Sequence, residues 1–379
     1  MTATDNHRMR ALDVMRGITV AAMILVNNPG SWSHVFAPLR HAEWHGLTPT
    51  DLVFPFFMFI MGISTAMSLR RYNFTLSRPL AAKILRRTVV IFLIGMIIDR
   101  IAAFCWGTTA DGPWLTGGLG AALDCSHIRI LGVLQRLALC YFFAAIIGAL
   151  CSRRVIRAFI IVALAAYSAI LLLCHGLEFT DDNIIGVIDR ALFGENHMYH
   201  QHAFGQRLAF DPEGLLSTLP SIAHTLIGFL AGRMILSTKD LRLRMLNLFV
   251  AGTAMMFAGL MLSYGLPINK NIWSPTFVLT TCGMASAMLA LLIWVIDVKG
   301  SGGWSRPFDV FGINPLFLYV LSDVIALVLA VTAGDAPYQF FVGLLHDPTV
   351  ASLAYSLSFV GLNWLIGYPL YRRSIIIKI

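Results

Sequence analysis

The sequence predicts an all-α polytopic membrane protein, a bundle of about ten transmembrane helices with both termini in the cytoplasm. Three observations carry this expectation. Charged residues make up only 13% of the 379-residue chain and hydrophobic residues 57%, whereas a soluble chain of this length carries roughly a quarter charged residues. The apolar residues fall in blocks of about 18 to 25, the length that crosses about 30 Å of hydrocarbon. The cations are segregated: 21 of 28 fall on alternate ends and loops, six on the others, and Arg136 lies within a span. The excess of Lys and Arg marks the cytoplasmic side.

The ten expected spans cover residues 11–28, 49–69, 84–105, 128–150, 158–176, 219–236, 246–265, 276–296, 308–332 and 351–370, forming one domain over 1–379. Gly and Pro within them (Pro55, Gly62, Gly228, Gly312, Pro315) are tolerated where neighbours satisfy the freed backbone groups. The outer side receives the long loops 29–48, 106–127, 177–218, 266–275 and 333–350. Most of the histidines fall on them, and only His7 is plainly cytoplasmic. Chemistry is therefore expected to open outward, because loops carry function more often than the elements they join.

The net charge of +8 sits in short inter-span loops, which points to topology rather than nucleic acid. Asp13 and Arg16 interrupt the first apolar run, so that helix is expected to insert uncleaved. The six cysteines show no C-x-x-C spacing, and no metal is expected. An oxidising outer compartment would permit a Cys105–Cys125 disulfide. There is no P-loop, no dinucleotide-binding glycine pattern and no G-x-S-x-G elbow. No internal repeat of the kind found in many transporters is present.

Five segments concentrate polar residues. Residues 11–62 hold Asp13 and Arg16, Asn27 and Asn28, His41, Glu43, Trp44 and His45, and Asp51. Asp13 and Arg16 are spaced to pair on one helix face. Asp51 either caps the second span or supports catalysis. The run IRILGVLQR places Arg136 two turns inside an apolar helix, where it needs a salt bridge or an anionic ligand. Asp211 and Glu213 immediately precede the sixth span. They either complement its dipole or hold sugar hydroxyls or an ammonium. His197, His200 and His202 lack a metal-ligand signature. The turn PINKNIWSP presents Asn269 and Lys270, and GINPLFLYV puts Asn314 and Pro315 inside the ninth span.

Together LDVMRGITV, MILVNN, PLRHAEWHGLTPTDLVFPFFMFIMG, GVLQR, DRALFGENHMY, FDPEGLLSTLPSI and PINKNIWSP resemble the heparan-α-glucosaminide N-acetyltransferase family and its bacterial-type members. They occur in family order across nearly the whole membrane region. The resemblance implies transfer of acetyl from cytoplasmic acetyl-CoA to a glucosamine-type amine on the outer side. Its H-A-x-W histidine matches His41 and its V-N asparagine matches Asn27. Substrate contacts are expected from Asp51, Asp211, Glu213, Asn269 and Lys270. Acetyl-CoA phosphates are expected near Arg70, Arg71, Arg78, Lys83, Arg86 and Arg87, with Arg136 a further contact. A bacterial inner membrane is the expected location, with the bilayer, the amino sugar and acetyl-CoA as partners; a homodimer is compatible with the sequence. The competing readings are a transporter of amino sugars and an O-acyltransferase of surface polysaccharide.

Overall fold

A computed structural model describes residues 9–106 and 118–377. Expectations that fall on 1–8, 107–117 and 378–379 lie outside the described residues. The chain runs through α1 (Arg10–Asn27), α2 (Val53–Arg70), α3 (Arg78–Trp106), the short α4 (Gly118–Leu123), α5 (Val133–Leu150), α6 (Arg153–Leu173) and α7 (Ile184–Phe193). An antiparallel hairpin follows, β1 (His200–Ala203) and β2 (Gln206–Ala209), with His200 opposite Ala209. Then come α8 (Leu215–Ser237), α9 (Leu241–Leu262), α10 (Pro275–Leu292, extended by a π-turn to Val298), α11 (Arg306–Ile313), α12 (Pro315–Thr332), α13 (Ala336–Leu345) and α14 (Pro348–Arg372).

Among the described residues nine helices are long and apolar enough to cross a membrane: α2, α3, α5, α6, α8, α9, α10, α12 and α14. The protein is a polytopic all-α membrane protein. The first expected span exists as α1 but stands apart from the nine, because its first two turns carry Arg10, Asp13 and Arg16. These charges are paired within the protein, Asp13 and Arg16 half-buried and Arg10 exposed. Arg16 bonds Asp13 at 3.1 Å and Ser64 Oγ at 3.0 Å, and Arg10 reaches Asp309 at 3.3 Å. The ninth expected span is broken in two. Asn314 leaves the helical region at φ −131°, ψ 58°, and Pro315 starts α12 at a position where its missing N–H costs nothing.

Glycines set the helix crossings. A Cβ on Gly62 would run into the Thr225 carbonyl of α8, and one on Gly228 into the Phe59 carbonyl of α2. Gly17 and Gly312 do the same for α1 and α11, and Gly252 and Gly283 for α9 and α10. Small residues let membrane helices approach closely where lipid offers no hydrophobic drive to associate.

At one end of the bundle the long loops pack into a cap around Trp44, Tyr167, Phe179, Phe210 and Ile272. Trp44 Nε1 donates to the Leu177 carbonyl at 2.8 Å, and the Phe204 amide donates to Glu43 at 2.6 Å. The Gly46 amide donates to the Ile268 carbonyl at 2.8 Å. These bonds tie the 41–48 segment to the 177–209 and 266–274 segments. α7, the hairpin and α13 fall within the expected outer loops 177–218 and 333–350, since each is too short for its periodicity to stand out in the sequence. Cys105 and Cys125 are both free thiols, one buried at the end of α3 and one exposed, so the anticipated disulfide is not formed.

Candidate active site

His41 follows a 3-10 turn (Ala37–Leu39), and Asp51 lies in a second one (Thr50–Leu52) that leads into α2. The intervening loop folds back so that the Asp51 carboxylate becomes its hub. Oδ2 accepts from the Ala42 amide at 3.1 Å, the Thr48 amide at 3.1 Å and the Thr48 hydroxyl at 2.9 Å. Oδ1 accepts from His41 Nδ1 at 2.6 Å. Asp51 is only 1% exposed, yet its carboxylate is fully hydrogen-bonded, which is what makes a buried charge tolerable. Asp51 therefore does not cap α2; its hydrogen bonds run to the loop that carries His41. Its bond fixes the proton of His41 on Nδ1 and leaves a lone pair on Nε2.

Lys270 comes to the same imidazole from the α9–α10 turn. Its Nζ lies 3.0 Å from His41 Nδ1 and 3.3 Å from Nε2, and 3.7 Å from Asp51 Oδ1. Nζ is thus nearly equidistant from the two ring nitrogens and lies over the imidazole rather than on the in-plane Nε2 lone pair. Burial pushes the Lys270 ammonium below the ordinary lysine range, against the opposing pull of Asp51 and Glu213. A cavity of about 130 Å³ opens here, with Asn27, His41, Glu213, Lys270 and Tyr319 on its walls. Asn27 is the last residue of α1 and is exposed there. Among the described residues no hydrogen bond engages its amide. Tyr319, one turn into α12, hydrogen-bonds Asp323.

Glu213 is presented by a clamp. Arg129 Nη2 donates to Glu213 Oε2 at 2.7 Å and to Asp211 Oδ1 at 2.7 Å, and Nε donates to Asp211 Oδ2 at 2.9 Å. Asp211 also accepts from the amides of Tyr199 and Glu213. Below the clamp, Asp189 Oδ1 accepts from the Leu215 amide at 2.9 Å and so caps α8. Burial raises the Asp189 carboxyl to about 7. A Cβ on Gly214 would strike Asp189 Oδ2, so a side chain there would push that carboxylate off the start of α8.

A second cavity, of about 380 Å³, lies toward the other end of the bundle. Arg16, Ser64, Lys83, Arg87, Asn314 and Ile377 are on its walls. Buried Arg87 Nε has no hydrogen-bond partner among the described residues. The two cavities share walls. Thr50 in the turn before α2, with Val53 and Phe54 on α2, faces the first, and Phe57, Ile60, Met61 and Ser64 of α2 face the second. On α5 the step is from Val133 to Leu137, and on α12 from Tyr319 to Leu316. These steps of three or four residues are about one helical turn, or about 5 Å.

The structure thus sorts the expected site residues. His41, Asn27, Glu213 and Lys270 share one cavity. Asp51, Asp211 and Asn269 stand behind it and are buried. Asn269 accepts from the Ile272 amide at 3.2 Å and meets His45 Nδ1 at 3.3 Å, holding the turn that carries Lys270. Of the six expected phosphate contacts, Lys83 and Arg87 line the second cavity, whereas Arg70, Arg71, Arg78 and Arg86 do not. Arg136 lines neither cavity. It is fully buried, donates to the Gly214 carbonyl and Ser217 Oγ, and lies 5.4 Å from the Trp273 ring. It anchors the start of α8, and its Nε and Nη1 have no hydrogen-bond partner among the described residues. Arg129, Tyr319 and the cavity role of Arg16 escaped sequence reasoning. Arg129 had a signal: a lone cation just before an apolar span, requiring carboxylates.

Residues 8–261 match the family model described as the catalytic region of heparan-alpha-glucosaminide N-acetyltransferase. The chain belongs to this family. It is 29% identical over 428 aligned positions to the Homo sapiens heparan-alpha-glucosaminide N-acetyltransferase, covering 98% of this chain and 60% of that protein. The Mus musculus protein of the same name is also 29% identical, over 98% of this chain and 61% of its own length. The chain therefore spans about three fifths of these curated members of the heparan-alpha-glucosaminide N-acetyltransferase family. Among the described residues no group of three or more His, Cys, Asp or Glu is arranged to hold a metal ion.

Proposed function

We propose that the protein is a transmembrane N-acetyltransferase that moves acetyl from cytoplasmic acetyl-CoA to the amino group of a glucosamine-type sugar on the outer side of a bacterial inner membrane. The observation that carries this reading is His41 held by Asp51 through Nδ1, in a cavity shared with Asn27, Glu213 and Lys270. Family membership and the activity for which the human and mouse relatives are named support the acetyl chemistry.

Amine acetylation needs a neutral amine and a polarised thioester. His41 Nε2 removes a proton as the amine attacks the acetyl carbon. The Asn27 amide donates to the oxygen as it becomes negative. The C–S bond then breaks, and His41 returns its proton to the departing thiolate. Glu213, fixed by Arg129, attracts the sugar ammonium into the cavity. The acetyl-CoA nucleotide sits at the second cavity, where guanidinium and ammonium groups match phosphate. Its slender thioester arm passes the one-turn step between the two cavities, so intact CoA need not cross the membrane.

Three experiments test this reading. Removing charge at Lys83 or Arg87 should weaken acetyl-CoA binding about tenfold each, in line with a lost charged hydrogen bond. Arg70→Ala and Arg86→Ala should leave that binding within about twofold, as expected for exposed surface charges. Equal affinity in all four variants, measured by calorimetry, would remove the second cavity from the reading. Asn27→Ala should lower turnover about 10²-fold or more with little change in acetyl-CoA affinity, as for other oxyanion donors; a change in binding alone would deny it that role. For sidedness, His34→Cys in a background lacking the exposed Cys125 and Cys174 should react with an impermeant maleimide added outside intact cells. Labelling only after the cytoplasm is opened would reverse the orientation.

A further inference from the structure

The acceptor amine of the proposed reaction must meet His41 at Nε2. A primary amine from the protein already stands against this ring. Lys270 Nζ is 3.0 Å from Nδ1 and 3.3 Å from Nε2, with Nδ1 bonded to Asp51 at 2.6 Å, so a rotation of the flexible lysine stem carries the amine onto Nε2. The ion pair with Asp51 is a loose one: Asp51 already accepts four hydrogen bonds between 2.6 and 3.1 Å, and Lys270 stands 3.7 Å from it. The lysine nitrogen lies closer to the imidazole than to that carboxylate, inside the cavity it shares with Asn27.

We infer that Lys270 is itself an acetyl acceptor, modified at Nζ by the protein's own active site when sugar is absent. The inference rests on the acetyltransferase reading above. The step is balanced: His41 Nε2 takes a proton from Nζ, the nitrogen attacks the thioester carbonyl, the N–C bond forms and the C–S bond breaks. CoA leaves as the thiol after His41 returns the proton. Starting from the ammonium form, one further proton passes to solvent. Burial supports the step by favouring the uncharged amine that must attack. The product is an amide without charge, larger than the amine by an acetyl group, lying against His41. It removes a cation from the site and occupies the acceptor position, so the modified protein is self-inhibited. Sugar protects Lys270 by taking the acetyl group first.

The experiment uses the full chain in detergent or nanodiscs with deuterated acetyl-CoA, with and without a methyl α-glucosaminide. Acetylated sugar and the acetylation of each lysine are followed by mass spectrometry, with Lys239 and Lys299 as internal references for uncatalysed reaction. Without sugar, Lys270 should acquire the label at least about tenfold faster than either reference, as positioned acid–base catalysis allows. Sugar should slow this labelling, and His41→Ala and the gentler His41→Gln should bring it down to the reference rate. The amide survives hydroxylamine, which separates it from an acetyl-imidazole at His41. Acetylated sugar with Lys270 no faster than Lys239 and Lys299 overturns this inference alone. No acetylated sugar overturns the underlying reading and the inference with it.

Discussion

His41→Ala is expected to lower acetyl transfer about 10³- to 10⁴-fold, the upper range for loss of a positioned acid–base group. Removing the imidazole takes away both the proton acceptor for the amine and the donor to the departing thiolate. Folding and acetyl-CoA binding should persist, because the ring is 44% exposed and its single tight bond is to Asp51. A histidine that merely packed the loop would give the reverse pattern, lost stability with retained turnover. Deuterated acetyl-CoA also tells two routes apart. A direct route leaves no hydroxylamine-labile acetyl on the protein when sugar is withheld; a route through acetyl-His41 leaves one. Full activity in His41→Ala would defeat both routes and restore the transporter reading.

Asp51→Asn should be nearly as damaging, about 10³-fold in turnover, with acetyl-CoA affinity preserved. The chemical reason is the number of donors around the carboxylate. Three of them, the Ala42 amide, the Thr48 amide and the Thr48 hydroxyl, converge on Oδ2. An asparagine must turn its oxygen toward these donors and its NH₂ toward His41 Nδ1. That nitrogen then accepts, the ring proton moves to Nε2, and the lone pair needed for the amine is lost. The same substitution in a Ser-His-Asp triad costs about 10⁴-fold by the same tautomer change. Imidazole nitrogen shifts in the NMR spectrum would report the tautomer directly. Turnover within a few-fold of the parent would mean that Asp51 only braces the loop.

The sequence by itself determined the membrane class, since a block of about 20 apolar residues is a local property that needs no partner to be read. The same locality explains the pairing of Asp13 with Arg16, three residues apart and bonded at 3.1 Å. His41 and Asn27 stand out by their place at the outer end of the first helix pair together with the family motifs, and Glu213 and Lys270 by polar runs beside apolar spans. Tertiary structure decided what these residues meet. Lys270 reaches His41 across 229 positions and Arg129 reaches Glu213 across 84, and no periodicity encodes such contacts. Asp51 illustrates the limit. Read along the chain it is an acidic residue at a helix start, which is enough for a cap. Only the fold of the loop turns its carboxylate back toward His41. Arg136 shows the converse. Its depth in an apolar helix signals that it must have partners, but whether those are phosphates or a carbonyl and a hydroxyl of α8 depends on which helix packs against α5. Local physics sets which segments are helices, whereas the identity of a buried polar group's partner is fixed by packing between segments remote in sequence.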